Sequence, residues 1–223
     1  MIGSPRVHHR VTDSTNERAK ELALAGAPHG TLATADEQTA GRGRQGRVWT
    51  APPRTAVLMS VVLRELDELL PLAAALAVAD AVHADATIKW PNDIWIGGRK
   101  VAGILVEGRP QEGWAVLGIG VNVGTERFPE ELTESATSLR LVGRAASTED
   151  VLRDVLSSLD AWLGAPPARV LAAWRERDAL KGERVRWSGG EGVANGIDDL
   201  GALVVETPAG QVSLDAGEVH LLR

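Results

Sequence analysis

The chain has 223 residues with 24 Lys and Arg against 30 Asp and Glu, which gives a formal net charge of −6 and a pI of about 5.4. Such an acidic chain lacks the basic surface that broad binding to nucleic acids or anionic membranes needs, so we expect neither DNA nor a membrane among its partners. It contains no cysteine, which excludes disulfides, thiolate metal sites and cysteine nucleophiles, and no secretory signal or bilayer-long apolar stretch, so we expect a cytoplasmic protein.

The first 180 residues predict helices packed on a β-sheet. Ser14-Thr15-Asn16-Glu17 matches a capping box, with Ser14 as the N-cap and Glu17 at the third helical position. Apolar patterns predict strands over 6–11, 31–35, 57–63, 88–90, 94–96, 100–107 and 114–123, and helices over 14–26, 68–84, 147–163 and 168–179. Gly97-Gly98 predicts a hairpin between two of these strands. We therefore expect an α+β domain over residues 1–180, with a mixed sheet flanked by helices.

The residues after Leu180 predict a second domain. Short alternating strands are expected over 184–187, 192–197, 202–206, 211–214 and 219–222. Turn signals such as Ser188-Gly189-Gly190 and Pro208-Ala209-Gly210 separate them. Closely spaced strands of this kind indicate a small β-barrel. We expect it to span residues 181–223.

The segment Gly41–Arg47, called here the glycine–arginine loop, concentrates three glycines and three arginines within seven residues. Glycine lets backbone N–H groups approach a ligand, and arginine presents a fork of donors to carboxylate and phosphate oxygens. The loop therefore predicts a bound anion. Its Gly-x-Gly-x-x-Gly pattern does not predict a dinucleotide site, because Pro52 and Pro53 follow where that site needs a helix.

A second cluster, Lys89-Trp90-Pro91-Asn92-Asp93, precedes the strand of Lys100. A lysine in an apolar strand is often an edge residue whose ammonium reaches solvent. Two lysines beside Asn92 and Asp93 favour another interpretation, in which the lysines hold phosphate oxygens and the side-chain oxygens hold Mg²⁺. This cluster therefore predicts a phosphate and metal site.

The two clusters together resemble the biotin–protein ligase family. The similarity runs from about Ser14 to the C-terminus, and its motifs occur in the order of that family at residues 14–16, 37–47, 89–93, 100–107 and 118–123. The resemblance implies a class II synthetase-like core with an SH3-like C-terminal barrel. It implies a ligase that forms biotinyl-5′-AMP from biotin and ATP with Mg²⁺. The biotin then passes to a lysine of a biotin carboxyl carrier protein domain.

The resemblance also implies roles for individual residues. The predicted catalytic residues are Lys100, Arg42 and Arg44. The predicted biotin-binding residues are Ser14, Thr15, Asn16, Gln38, Gly41, Arg42, Gly43, Arg44, Lys100, Gly103, Gly118 and Gly120. The predicted nucleotide-binding residues are Arg44, Arg47, Trp49, Lys89, Asn92, Lys100 and Asn122, with Trp49 offering an aromatic face to adenine, and Asp93 is the predicted Mg²⁺ ligand. Gly118-Ile119-Gly120 is expected to form an apolar wall beside the biotin rings.

Several alternatives stay open from the sequence. Trp49 is also explained by simple packing, and Asp93 by a structural role or by proton acceptance from the acceptor lysine. A lipoyl or octanoyl transferase is the rival within the same superfamily. A non-catalytic nucleic-acid-binding module that uses Arg42, Arg44 and Arg47 is the rival outside it. Arg223 resembles a family arginine near the nucleotide, although its local spacing differs by one residue. We expect no N-terminal DNA-binding domain, and either a monomer or a homodimer.

Overall fold

The computed structural model describes residues 1–82 and 84–222. Its strands are β1 (Arg6–His9), β2 (Leu32–Ala35), β3 (Ala56–Leu63), β4 (Thr87–Lys89), β5 (Asp93–Ile96), β6 (Arg99–Arg109), β7 (Trp114–Asn122), β8 (Arg184–Trp187), β9 (Gly190–Ile197), β10 (Leu203–Thr207), β11 (Gly210–Leu214) and β12 (His220–Leu221). Its α-helices are α1 (Thr15–Leu24), α2 (Leu70–Val82), α3 (Thr148–Trp162) and α4 (Pro167–Glu176). None of the described helices has the length and apolar character of a membrane span.

Seven strands form the main sheet, in the order β1-β2-β3-β7-β6-β5-β4. Strands β1 and β2 are parallel, and the remaining neighbours are antiparallel, so the sheet is mixed as predicted. The predicted hairpin joins β5 to β6, and its two glycines, Gly97 and Gly98, have φ values of +58° and +73°. Positive φ at both turn positions favours glycine, which explains this pair in the sequence.

Strand β3 lies at the centre of the core because helices cover both faces of the sheet. All eight of its residues are buried. Alternate side chains point to opposite faces, so Met59 and Val61 join the large core with α2 and α3, whereas Val62 packs with Ala19 and Ala23 of α1. This two-sided burial accounts for the nearly continuous apolar sequence of the strand.

The last five strands form a separate antiparallel sheet in the order β11-β10-β9-β8-β12. They match the strands that the sequence predicts for a small barrel, so the α+β fold class is confirmed. The sheet contacts the first domain through Trp90, whose indole N–H donates to the Gly201 carbonyl at 3.1 Å. The boundary between residues 180 and 181 stays a prediction.

Two local predictions are wrong. Ser14 is the N-cap of α1, but Glu17 does not complete the capping box, because its carboxylate binds Lys20 and Arg42 instead. The Ser14 amide donates to Asp13 at 2.6 Å. Helix α2 begins two residues later than expected, because Asp67 accepts the Leu69 amide at 2.6 Å and ends the preceding turn there.

Candidate active site

One cavity of about 500 Å³ brings together most of the predicted site residues. Its lining includes Ser14, Thr15, Asn16, Gln38, Arg42, Gly43, Arg44, Arg47, Trp49, Lys89, Asn92, Asp93, Lys100, Gly103, Gly118, Gly120 and Asn122. Gly41 is the exception. A Cβ there would lie 2.3 Å from the Trp49 carbonyl oxygen, so this glycine lets the base of the glycine–arginine loop pack closely.

One end of the cavity, the neutral end, is formed by Ser14, Thr15, Asn16 and Gln38. The first turn of α1 presents Thr15, whose amide and hydroxyl both donate to Gln38 Oε1, at 2.6 and 3.0 Å. Ser60 of β3 lies behind this turn, with Oγ 2.8 Å from Thr15 Oγ1 and 2.6 Å from Asn16 Oδ1. This end is therefore a buried network of uncharged donors and acceptors, suited to a neutral polar ring.

The opposite end, the cationic end, is formed by Arg44, Arg47, Lys89 and Lys100. Lys100 Nζ lies 2.6 Å from Asp93 Oδ1, and Arg44 donates to Asn92 Oδ1 at 3.2 Å. Four cations face the same space here, so this end is suited to an anion with several charged oxygens.

Burial changes the acidity of two of these cations. Burial lowers the pKa of Lys89 from its ordinary value of 10.5, and the neighbouring Lys100 lowers it further, although Asp93 opposes the shift. Burial also lowers the pKa of Arg44, with Arg47 acting in the same direction. Both groups are therefore partly desolvated, which strengthens their interaction with a bound anion.

The C-terminal domain contributes to the cationic end. Glu218 forms an ion pair with Arg47, and the Gly217 carbonyl accepts a hydrogen bond from Arg44 at 3.4 Å. His220 also lines the cavity. The site is thus shared between the two sheets of the protein. Arg223, singled out in the sequence, lies outside the described residues.

Arg42 lies in a different environment from the other loop arginines. Its guanidinium forms ion pairs with Glu17 and Glu107, and the hydrogen bond to Glu17, followed by the charge of Glu107, raises its pKa. Two carboxylates therefore compensate the charge of Arg42, and its catalytic role toward the reacting anions stays a prediction.

Gly118, Ile119 and Gly120 line the cavity, and the expected apolar wall beside biotin stays a prediction. A Cβ on Gly118 would lie 2.1 Å from Asn16 Oδ1, and one on Gly120 would lie 2.5 Å from the Trp49 ring. Both glycines of β7 make room for protein side chains. Trp49 also contacts Gly103 and lies under Lys100, whose Nζ is 5.7 Å from the indole centroid.

Two predicted ligand contacts are already engaged with protein groups. Asn16 Nδ2 donates to Glu107 at 2.8 Å, and Asn122 Nδ2 donates to the Thr137 carbonyl at 3.0 Å. Their roles toward biotin and nucleotide stay predictions. Within residues 1–82 and 84–222, no group of three or more His, Cys, Asp or Glu is placed to hold a metal.

Some residues in or behind the cavity escaped the sequence reasoning. Trp95 lies on the cavity with Lys89 Nζ 5.3 Å above its ring. Strand alternation from Asp93 would have placed Trp95 on the same face. Ser60 and Glu107 support the neutral end, but only the three-dimensional approach of α1 to the sheet reveals their roles.

Comparisons with known proteins give a consistent result. The model of the biotin/lipoate A/B protein ligase family matches residues 8–124, and the model of the biotin protein ligase C-terminal domain matches residues 181–222. The chain is 38% identical to a biotin–[acetyl-CoA-carboxylase] ligase of Mycobacterium tuberculosis, over 95% of this chain and 87% of that protein. It is 36% identical to a bifunctional ligase/repressor of Bacillus subtilis, over 99% of this chain and 75% of that protein.

A solved structure has the same fold. The biotin protein ligase of Aquifex aeolicus, in complex with biotin and ATP, superposes with a TM-score of 0.85 at 29% identity and covers 99% of both chains. The agreement extends over both sheets, because the match spans nearly the whole length.

Proposed function

The chain belongs to the biotin/lipoate A/B protein ligase family, and we propose that it is an ATP-dependent biotin–protein ligase. It forms biotinyl-5′-AMP from biotin and ATP, and it transfers biotin to a lysine of a biotin carboxyl carrier protein domain, as in acetyl-CoA carboxylase. The observation that carries this proposal is that one cavity contains both the neutral end and the cationic end. One joined molecule, with a polar ring at one terminus and a phosphate near the other, fits that arrangement.

In the first step, a carboxylate oxygen of biotin attacks the α-phosphorus of ATP. The bond from that phosphorus to the bridging oxygen of the β-phosphate breaks, and pyrophosphate leaves. Both reactants are anions, so catalysis consists mainly of charge neutralisation and alignment. Lys100 supplies charge where the carboxylate meets the phosphate, and its ion pair with Asp93 orients it. Arg44, Arg47 and Lys89 hold the phosphate oxygens.

The neutral end holds the ureido ring. Ser14, Thr15 and Gln38 each offer a donor and an acceptor. Gln38 accepts two hydrogen bonds from Thr15, which fixes its amide orientation before the ligand arrives. Asn16 supports this turn from behind, since both ends of its amide are engaged.

Mg²⁺ fits this site as a companion of ATP. Asp93 and Asn92 provide the oxygen ligands that Mg²⁺ prefers, yet Lys100 and Arg44 already bind these oxygens. One carboxylate and one amide are too few to hold the ion without phosphate oxygens, which is common for Mg²⁺ sites. When bound, the ion neutralises phosphate charge.

In the second step, the neutral amine of the acceptor lysine attacks the acyl carbon. The bond from that carbon to the phosphate oxygen breaks, AMP leaves and the amine loses a proton. We assign Asp93 to orienting Lys100 rather than to accepting this proton, because its Oδ1 lies 2.6 Å from Lys100 Nζ. The glycine–arginine loop covers the anhydride and excludes water.

The division of labour follows the two sheets. We propose a catalytic domain over residues 1–180 and an SH3-like domain over 181–223 that completes the cationic end.

The acidic net charge of −6 supports a protein that does not bind DNA through these domains. We propose that the protein acts in the cytoplasm, the compartment that contains its ATP and carboxylase substrates. Sedimentation distinguishes the monomer from the homodimer.

Two measurements test this function. Biotin is expected to raise the melting temperature, whereas lipoate is not. With Mg-ATP and a carrier domain, biotin should release pyrophosphate and add one biotinyl group to the carrier, seen by mass spectrometry. Stabilisation by lipoate and not biotin would instead support the lipoyl transferase. Tight, salt-dependent binding to DNA with no pyrophosphate release would support the nucleic-acid-binding module.

A further inference from the structure

Glu107 occupies a place that the reaction as described does not use. It lies near the end of β6, and its side chain is 21% exposed. We propose that Glu107 is a positioning residue that anchors the glycine–arginine loop through Arg42 and thereby slows the release of biotinyl-5′-AMP. This inference rests on the proposed function for the identity of the trapped molecule, although the anchoring itself does not.

The Glu107 carboxylate joins three elements. Its Oε2 accepts a hydrogen bond from Asn16 Nδ2 at 2.8 Å. Its Oε1 lies 3.0 Å from Lys20 Nζ and 3.4 Å from Arg42 Nη2. The carboxylate thus connects α1, β6 and the glycine–arginine loop at one point.

The Asn16 side of this contact is rigid. Asn16 is 4% exposed, and Ser60 holds its Oδ1 at 2.6 Å. Gly118 lies so close to the same oxygen that it leaves no space for a Cβ. Glu107 is therefore fixed to the buried network behind the neutral end.

The Arg42 side belongs to the loop. Gly43 N–H donates to the Arg47 carbonyl at 2.7 Å and Trp49 N–H donates to the Gly41 carbonyl at 3.0 Å, so the loop closes on itself in a narrow turn. Holding Arg42 at the start of that turn restricts the positions of Arg44 and Arg47. Its partner Glu17 contributes as well, since burial would raise the pKa of Glu17 but hydrogen bonds from Lys20 and Arg42 outweigh burial and lower it.

The three loop arginines consequently divide their tasks. Arg44 and Arg47 face the cationic end, whereas Arg42 fastens the loop to Glu107 and Glu17. If the loop is ordered before the ligand binds, less conformational entropy is lost on binding. The same anchoring raises the energy barrier to opening of the loop. Detaching Arg42 should therefore affect retention of the adenylate more than its formation.

The central test compares Glu107→Gln with wild type. Glutamine keeps an acceptor for Asn16 but removes the charge that holds Arg42. We expect biotinyl-5′-AMP to dissociate about tenfold faster in the absence of carrier domain, with the rate of its formation within about twofold of wild type. Glu112→Gln is the matched control, because Glu112 pairs with Arg109 at 2.8 Å outside the cavity, and it should release at the wild-type rate.

Two further variants separate anchoring from a general structural effect. If the effect acts through Arg42, the Arg42→Gln, Glu107→Gln double variant should release no faster than the faster single variant. Lys20→Met removes the other cation on Glu107 and leaves Arg42 in place, so its release should stay near that of wild type. Multiplying effects in the double variant, or release in Lys20→Met as fast as in Glu107→Gln, would overturn the inference.

Limited trypsin digestion without substrates tests the anchoring independently. Cleavage after Arg44 and Arg47, located by mass spectrometry, should be faster in Glu107→Gln than in wild type or Glu112→Gln. A wild type that makes no biotinyl-5′-AMP would refute the proposed function and leave this readout intact. Unchanged cleavage, or unchanged release in a wild type that does make the adenylate, would refute the role of Glu107.

Discussion

The two ends of the cavity are built on different physical principles. At the neutral end, hydrogen bonds already connect Thr15, Gln38 and Ser60. A ligand there has only to add its own hydrogen bonds to an existing network. At the cationic end, Lys100 and Arg47 are held by Asp93 and Glu218, and an anionic ligand must share or replace those carboxylates. We propose that the first end contributes mainly binding, and that the second contributes mainly stabilisation of charge that changes during the reaction.

The largest effect is expected when a cation is removed from the cationic end. Lys100→Ala should lower the rate of biotinyl-5′-AMP formation by about 10²–10³-fold, because it removes a cation from the reacting oxygens. The KM for biotin should change much less than the rate, since the neutral end, which holds the ureido ring, is untouched. Biotin-dependent pyrophosphate release measures both. A variant that retains the wild-type rate would show that Lys100 is only a structural partner of Asp93.

A second change disturbs the support of the neutral end. In Gly118→Ala the new methyl group would overlap Asn16 Oδ1, which Ser60 and Glu107 hold in place, so we expect a loss of about 1–3 kcal/mol in unfolding free energy. Urea denaturation measures it. Gly164→Ala is the matched control, because a Cβ at Gly164 has nothing within 4 Å, and its stability should be unchanged.

A third change tests whether the neutral end acts by uniform binding. Gln38→Ala removes the acceptor that orients Thr15, and it should raise the KM for biotin about tenfold while kcat stays within about twofold. Steady-state kinetics at saturating ATP measure the two constants. A fall in kcat with an unchanged KM would place Gln38 in the chemical step instead.

The smallest expected effect concerns pH. Lys89 must carry its proton to hold phosphate, and burial lowers its pKa below 10.5, so its charge is lost as the pH rises toward that lowered value. The KM for ATP should therefore rise a few-fold at alkaline pH. In Lys89→Arg the charge persists, and the rise should disappear. An identical profile in both proteins would exclude Lys89 as its source.

The sequence predicts the local motifs of the site better than the contacts between residues that are distant in the chain. Apolar periodicity predicts most helices and strands, although it does not predict the order of the strands in the sheet. The motifs around Thr15, Lys89 and Lys100 indicate the two ends of the cavity, because each motif is a short stretch of sequence. The pairing of Arg42 with Glu107 is not local, since 65 residues separate them and only the tertiary fold brings the glycine–arginine loop to β6. The same reason hides Glu218, which reaches Arg47 from the other sheet.

Glycines illustrate the limit most clearly. Their sequence positions indicate that something approaches β7 closely, but not whether it is a ligand or a side chain. The structure assigns Gly118 to Asn16 and Gly120 to Trp49. The sequence alone does not show which neighbouring group occupies the space beside a glycine that lacks a Cβ.

The proposed function requires both ends of the cavity to bind one molecule, and calorimetry tests this most directly. Biotin, AMP and an unreactive biotinyl-5′-AMP analogue would be titrated separately into the protein. Because the analogue spans both ends, it should bind at least about a hundredfold more tightly than biotin or AMP alone. An analogue that binds no more tightly than biotin would show that the two ends do not act together, and it would contradict the proposed function.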